Sequence, residues 1–173
     1  MVVSGVNQTI ELSEIAVPDD LTVLVLQNEI NTDANFEIIK KVPKSTFVIL
    51  NAAPALTPNK DFFERIDLLV VNQLEAKMLL NEEPSIFNNL DALRKLQNLG
   101  PKEVIITLGA EGYTGISKNG EIFSEPGIKV DVLSTHGAGD SFVGTLAAFI
   151  CKGEPINIAC LLYTSPSPRD NTL

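Results

Sequence analysis

The sequence lacks most of the features that mark a function at once. It has no P-loop, the glycine-rich run closed by lysine and Ser/Thr that cradles nucleotide phosphates. It has one histidine, His136, and two cysteines, Cys151 and Cys160, which do not make a metal-type pair. That sparse cysteine use reads as buried free thiols in a reducing compartment, so the expected location is the cytoplasm. No apolar run is long enough to span a bilayer, and no basic, apolar and small-residue leader is expected before Val2. Basic side chains are scarce: 13 Lys and Arg stand against 22 Asp and Glu, a formal net charge of −9. The acidic excess argues against nucleic acid and anionic membrane as partners. It leaves a nucleotide ligand open, because backbone amides and a metal ion neutralise phosphate locally.

The 173 residues suit one domain with a real core, and 45% hydrophobic against 20% charged residues is globular composition. Strand-like and helix-like runs alternate. Thr22–Leu26, Phe47–Leu50, Leu68–Val71 and Val104–Thr107 read as buried strands. Thr32–Val42, a segment through Arg65 opened by Thr57 and Pro58, Leu74–Asn81 and Asn88–Leu99 read as helices. Asn119-Gly120 between Tyr113–Ser117 and Glu121–Phe123 is a hairpin signal. The expected fold is therefore α/β, a three-layer arrangement with a largely parallel sheet flanked by helices.

Polar residues recur where the buried strands stop: Gln27-Asn28-Glu29, Asn51, Asn72 with Glu75 one turn on, and Thr107-Leu108-Gly109. Open α/β sheets bind ligands outside the carboxyl ends of their strands. Helix capping accounts for any one of these residues; all of them together favour a site. Gly137-Ala138-Gly139-Asp140 then leads from the β-branched run Val130–Leu133 into an amphipathic helix reaching about Cys151. A helix start favours anions, so Asp140 is placed to take a proton from a substrate hydroxyl while nearby amides hold a phosphoryl group. An N-cap aspartate after a tight Gly-Ala-Gly turn is the competing explanation. A dinucleotide loop is disfavoured, because Phe142 stands where its last glycine or alanine belongs.

Four segments in order resemble the ribokinase/PfkB carbohydrate kinases. Val132 to Gly144, with Ser134-Thr135-His136-Gly137-Ala138-Gly139-Asp140, resembles that family's second signature. Asn72-Gln73-Leu74-Glu75 is similar to its Asn-x-x-Glu motif, Thr107-Leu108-Gly109-Ala110-Glu111-Gly112 to its nucleotide loop, and Asn51-Ala52-Ala53-Pro54-Ala55 to its Asn-Pro-Ala-Pro-Ala segment. The resemblance implies phosphorylation of ribose or a related sugar by ATP with Mg²⁺. Asp140 would be the base, and Gly137, Ala138 and Gly139 the anion hole. Asn72 and residues Thr107, Leu108, Gly109, Ala110, Glu111 and Gly112 would bind nucleotide, Glu75 would organise Mg²⁺, and Glu29 would touch the sugar. It further implies a homodimer for a full-length form.

Departures from the family pattern modify this reading. Ser134 stands where the family has an aspartate that helps bind a monovalent cation. The charged ligand of a Ser134–His136 cation site is thus missing, which argues against activation by K⁺. His136 is expected to present its backbone. Residues 1–160 are expected to form a partial kinase domain without the lid and sugar-binding part or the end of the adenine pocket, and 161–173 an atypical, disordered tail. The alternative function is a non-catalytic nucleotide-binding fragment, and a weaker one an NAD-binding domain.

Overall fold

The computed structural model describes residues 5–9, 15–56, 59–83, 87–128 and 137–164. Six strands form one sheet in chain order: β1 (Val23–Gln27), β2 (Phe47–Asn51), β3 (Leu68–Asn72), β4 (Glu103–Thr107), β5 (Tyr113–Ile116) and β6 (Ile122–Glu125). The first four are parallel, and β5 and β6 return antiparallel through the expected hairpin, where Gly120 takes φ 82°. The helices are α1 (Thr32–Lys41), α2 (Lys60–Phe63), α3 (Gln73–Leu80), α4 (Asn89–Gln97), α5 (Ala138–Cys151) and α6 (Ile156–Thr164). None of the described helices is long and apolar enough to cross a membrane.

The apolar strands are continuous because both faces of the sheet are covered. Side chains alternate between two cores. Val48 and Leu50, Leu69 and Val71, and Val104 and Ile106 point to one, with Ile38 and Ile39 of α1, Phe62 and Phe63 of α2, Leu79 of α3, and Leu93 and Leu96 of α4. Ile49, Leu68, Val70 and Ile105 point to the other, with Phe142, Val143 and Leu146 of α5 and Ala159 and Cys160 of α6. Crossovers of one hand between neighbouring parallel strands put α1 to α4 on a single face, leaving the opposite face to α5 and α6.

The amino edge of the sheet is closed by a polar network. Asp67, 7% exposed just before β3, accepts from the backbone N–H of Val48 at 2.8 Å and from Lys102 Nζ at 2.5 Å. Arg65 reaches the same carboxylate at 3.4 Å and donates to the carbonyls of Pro43 and Thr46. One carboxylate thereby ties together the starts of β2, β3 and β4.

Three expectations change. The short helix is capped by Asn59, whose side chain accepts from Phe62 N at 3.2 Å; Thr57 and Pro58 lie outside the described residues. Cys151 is exposed and only Cys160 is buried, its thiol pushed up to about 12 by that burial. Beyond Gly153 the chain turns into α6, which runs through Thr164 and takes in the first residues of the expected tail. The sequence pattern hid it because its residues are mostly apolar and give little amphipathic signal.

Asp67→Ala leaves Arg65 and the Val48 amide short of an acceptor and should cost about 2–4 kcal/mol, read from the urea midpoint at unchanged slope. Breaking the exposed Lys40–Glu37 pair, joined at 2.6 Å, should cost no more than about 0.5 kcal/mol.

Candidate active site

Register brings the polar strand ends to one edge. Gln27 lies opposite Asn51, and Asn72 opposite Thr107, each pair closing a parallel ladder at its carboxyl end. With strands about 4.8 Å apart, the line from β1 to β4 is about 14 Å long. The loops above it are short. Asn28 is tied to the exit of β2 by its N–H on the carbonyl of Ala53 and its Nδ2 on that of Pro54. Glu29 sits beside it, exposed at the same edge.

Helix α5 reaches this edge with its amino end. Gln27 Nε2 donates to Asp140 Oδ1 at 3.3 Å, and Thr22 Oγ1 lies 3.2 Å from Cys151 Sγ. The five steps from Thr22 to Gln27 along an extended strand and the eleven from Asp140 to Cys151 along a helix both span about 16 Å. The helix therefore lies antiparallel to β1 and pinned at both ends, which puts Asp140 on the edge that holds Asn72 and Thr107.

The local geometry separates the two readings of Gly137-Ala138-Gly139-Asp140. Gly137 is the N-cap, at φ 75°, a conformation L side chains rarely adopt. Asp140 is the third helical residue and not the N-cap, and the glycine at the N-cap makes no side-chain capping bond. A glycine at this position has no side-chain oxygen of its own to offer the first-turn amides. Among the described residues, a Cβ on Gly139 would meet nothing within 4 Å.

At Asn72 and Glu75, by contrast, the capping explanation holds. Asn72 Oδ1 accepts from Glu75 N at 2.9 Å, and Glu75 Oε2 accepts from Asn72 N at 2.8 Å, a reciprocal capping box on α3. Glu75 is half-buried rather than the exposed helix-start carboxylate its position suggests, and burial raises its pKa above the ordinary value of 4.5 against the opposing pull of its bonds to Asn72.

The loop after β4 is a single 3₁₀ turn, Gly109–Glu111, closed by Leu108 N on the carbonyl of Gly112 at 2.8 Å. Gly112 is required there twice over: φ is 98°, and a Cβ would collide with the carbonyl oxygen of Glu125. From the other side, a Cβ on Gly127 would collide in the same way with the carbonyl oxygen of Ala110. Backbone packing against the exit of β6 thus fixes the loop while Gly109, Ala110 and Glu111 stay exposed at its tip.

Ser134 and His136 lie outside the described residues, and with them the monovalent-cation expectation. Among the described residues no three His, Cys, Asp or Glu cluster as metal ligands. Sequence reasoning placed Gln27 at a strand end but did not pair it with Asp140. Separation along the chain hides that contact, and only the antiparallel docking of α5 reveals it.

A mostly parallel sheet with helices on both faces and its polar strand ends on one edge is the ribokinase-like α/β architecture. The chain belongs to the pfkB family of carbohydrate kinases, whose model matches residues 7–162. It is 37% identical over 139 residues to a ribokinase of Schizosaccharomyces pombe, covering 77% of this chain and 43% of that protein. A Lactococcus lactis ribokinase is 35% identical over 126 residues, covering 72% and 39%. The structure of a Thermotoga maritima ribokinase superposes with a TM-score of 0.83 at 29% identity, over 95% of this chain and 55% of that one. That of an Arabidopsis thaliana ribokinase complexed with ribose and ATP gives 0.74 at 25%, over 82% and 47%. The chain thus spans about half the length of the relatives it matches.

Asn72→Ala should cost about 1 kcal/mol by opening the capping box. Glu75→Gln keeps an acceptor for Asn72 N and should fold normally. Because burial raises the pKa of Glu75, its protonated form favours the folded chain, and that contribution is lost as pH climbs through the raised value. Denaturant titrations should therefore show Glu75→Gln gaining on the parent chain as pH climbs from the ordinary value of 4.5 through the raised one; a constant gap would remove the burial argument.

Proposed function

We propose that this chain carries the phosphoryl-transfer edge of an ATP-dependent sugar kinase, with ribose or a related sugar as acceptor. The observation that carries the reading is the Gln27–Asp140 contact, which holds a carboxylate in the first turn of a glycine-capped helix on the edge shared with Asn72 and Thr107. Asp140 takes the proton of the sugar hydroxyl as that oxygen bonds to the γ-phosphorus, and the bond from γ-phosphorus to the bridging oxygen breaks to release ADP. Gly137, Ala138 and Gly139 present backbone N–H groups to the charge that spreads over the transferring phosphoryl oxygens. Asn72 and the loop from Thr107 through Gly112 lie toward the nucleotide, about two and three strand spacings from Asp140, so the triphosphate runs along the edge. Glu29 lies near the sugar.

Mg²⁺ prefers hard oxygen donors, keeps several waters, and binds through one or two carboxylates together with phosphates. Glu75 fits as such a donor in part, since one of its oxygens is already engaged by the cap. When bound, the ion would neutralise phosphate charge. The same reading places the protein in the cytoplasm, where ATP is supplied.

A second reading, a nucleotide-binding piece with little turnover, is favoured by the chain's spanning 43% and 39% of two ribokinases. A sugar kinase must hold two substrates in line and exclude water, which needs walls on every side of the edge.

Residues 1–173 should bind ATP but release ADP slowly with ribose or other sugars; robust sugar-dependent turnover would remove the second reading. Where turnover is measurable, Asp140→Asn should reduce it by on the order of 10²–10⁴ with ATP binding retained, because an amide cannot take the proton. Near-normal turnover in that variant would end the base assignment.

A further inference from the structure

The contact that holds Asp140 leads one step deeper. Gln27 ends β1, an outer strand of the six-stranded sheet, so its far side meets no ladder partner in that sheet. There its backbone carbonyl accepts from Asn35 Nδ2 at 2.6 Å. Asn35 projects from α1 and is 1% exposed. Its other amide atom, Oδ1, is buried without a hydrogen-bond partner among the described residues. Such an orphaned acceptor is unfavourable, and an apolar side chain of similar size would avoid it. Among the described residues, with apolar neighbours such as Leu26, Ile38 and Val42, the one bond Asn35 makes from its side chain is to Gln27.

We infer that Asn35 and Gln27 form a two-step positioning device for Asp140. Asn35 fixes the strand end, and the Gln27 amide, projecting from that end, directs one carboxylate oxygen and leaves the other to meet the acceptor hydroxyl. The inference rests on the reading of Asp140 as the base. A carboxylate at an exposed first turn has rotameric freedom, and about 1 Å of misplacement at a reacting centre costs on the order of 10²-fold in rate. A neutral amide is suited to this role, since it orients the carboxylate without adding a positive charge that would stabilise the ionised form against taking a proton.

The test uses the whole 173-residue chain, uniformly labelled with ¹⁵N. The side-chain amide pair of Gln27 is assigned by its disappearance in Gln27→Leu. It should move in Asp140→Ala and in Asn35→Leu, with the remaining backbone spectrum native. An unmoved pair in Asp140→Ala overturns the contact, and an unmoved pair in Asn35→Leu overturns the role of Asn35. Asn35→Ala serves if leucine disturbs the fold. This arm decides the device whether or not the chain turns over. In rapid-quench assays with radiolabelled ATP and ribose, Gln27→Leu should lower kcat about tenfold, with KM for both substrates within about twofold. It should cost nothing further in an Asp140→Asn background, because the two act as one unit. Equal losses in both backgrounds would make Gln27 merely structural and overturn the inference. Full turnover in Asp140→Asn alone would instead end the base reading, while the amide spectrum still reports on the contact.

Discussion

The whole arrangement depends on four strands running the same way. Parallel neighbours cannot be joined by hairpins, so each link must climb over the sheet and return, and every strand then finishes on one edge. That constraint makes the structure's two ends unlike. At the amino edge the chain buries Asp67 and satisfies it with Lys102, Arg65 and the Val48 amide. At the carboxyl edge Gln27, Asn72 and Thr107 finish their strands beneath short loops, and exposed groups remain for a ligand. Stability and candidate chemistry are thus divided between opposite edges by the direction of the strands.

Much of this was legible in the sequence because it depends on local pattern. Unbroken runs such as Leu-Leu-Val-Val can only be strands covered on both faces, and observed strand limits fall within one or two residues of those expected. Cap positions were less legible. Thr57, Pro58 and Asn59 are all plausible openers of a helix, and the choice falls to whichever oxygen reaches the amide of the second or third helical residue; here that is Asn59. Helix α6 was missed for a different reason, since its mostly apolar residues give little sign of a preferred face.

The site was legible as a set of positions but not as contacts. The Asn72–Glu75 spacing carries two meanings that sequence cannot separate, a capping box and a motif resembling a metal and phosphate site. The structure shows the first plainly, and it is compatible with the second. A capping box fixes the direction of a carboxylate on a rigid helix start, as a group meant to organise charge requires. At Asp140 the outcome differs. The cap is Gly137, so the aspartate is released from structural duty at the helix start.

That difference bears on how one fold can carry both a stable edge and a reactive one. A carboxylate that caps its own helix is spent on local amides, and its proton affinity follows the needs of the helix. Asp140 instead accepts a side-chain bond from Gln27, 113 residues away in the chain and neutral. Its orientation is set by tertiary docking, and α5 is held in that docking at its far end by the approach of Cys151 to Thr22. Packing of α5 on Ile49, Leu68 and Val70 therefore contributes to more than burial, because any tilt of the helix moves the carboxylate off the strand ends. The apolar face of α5 and the polar edge it overhangs are, in this sense, one functional unit.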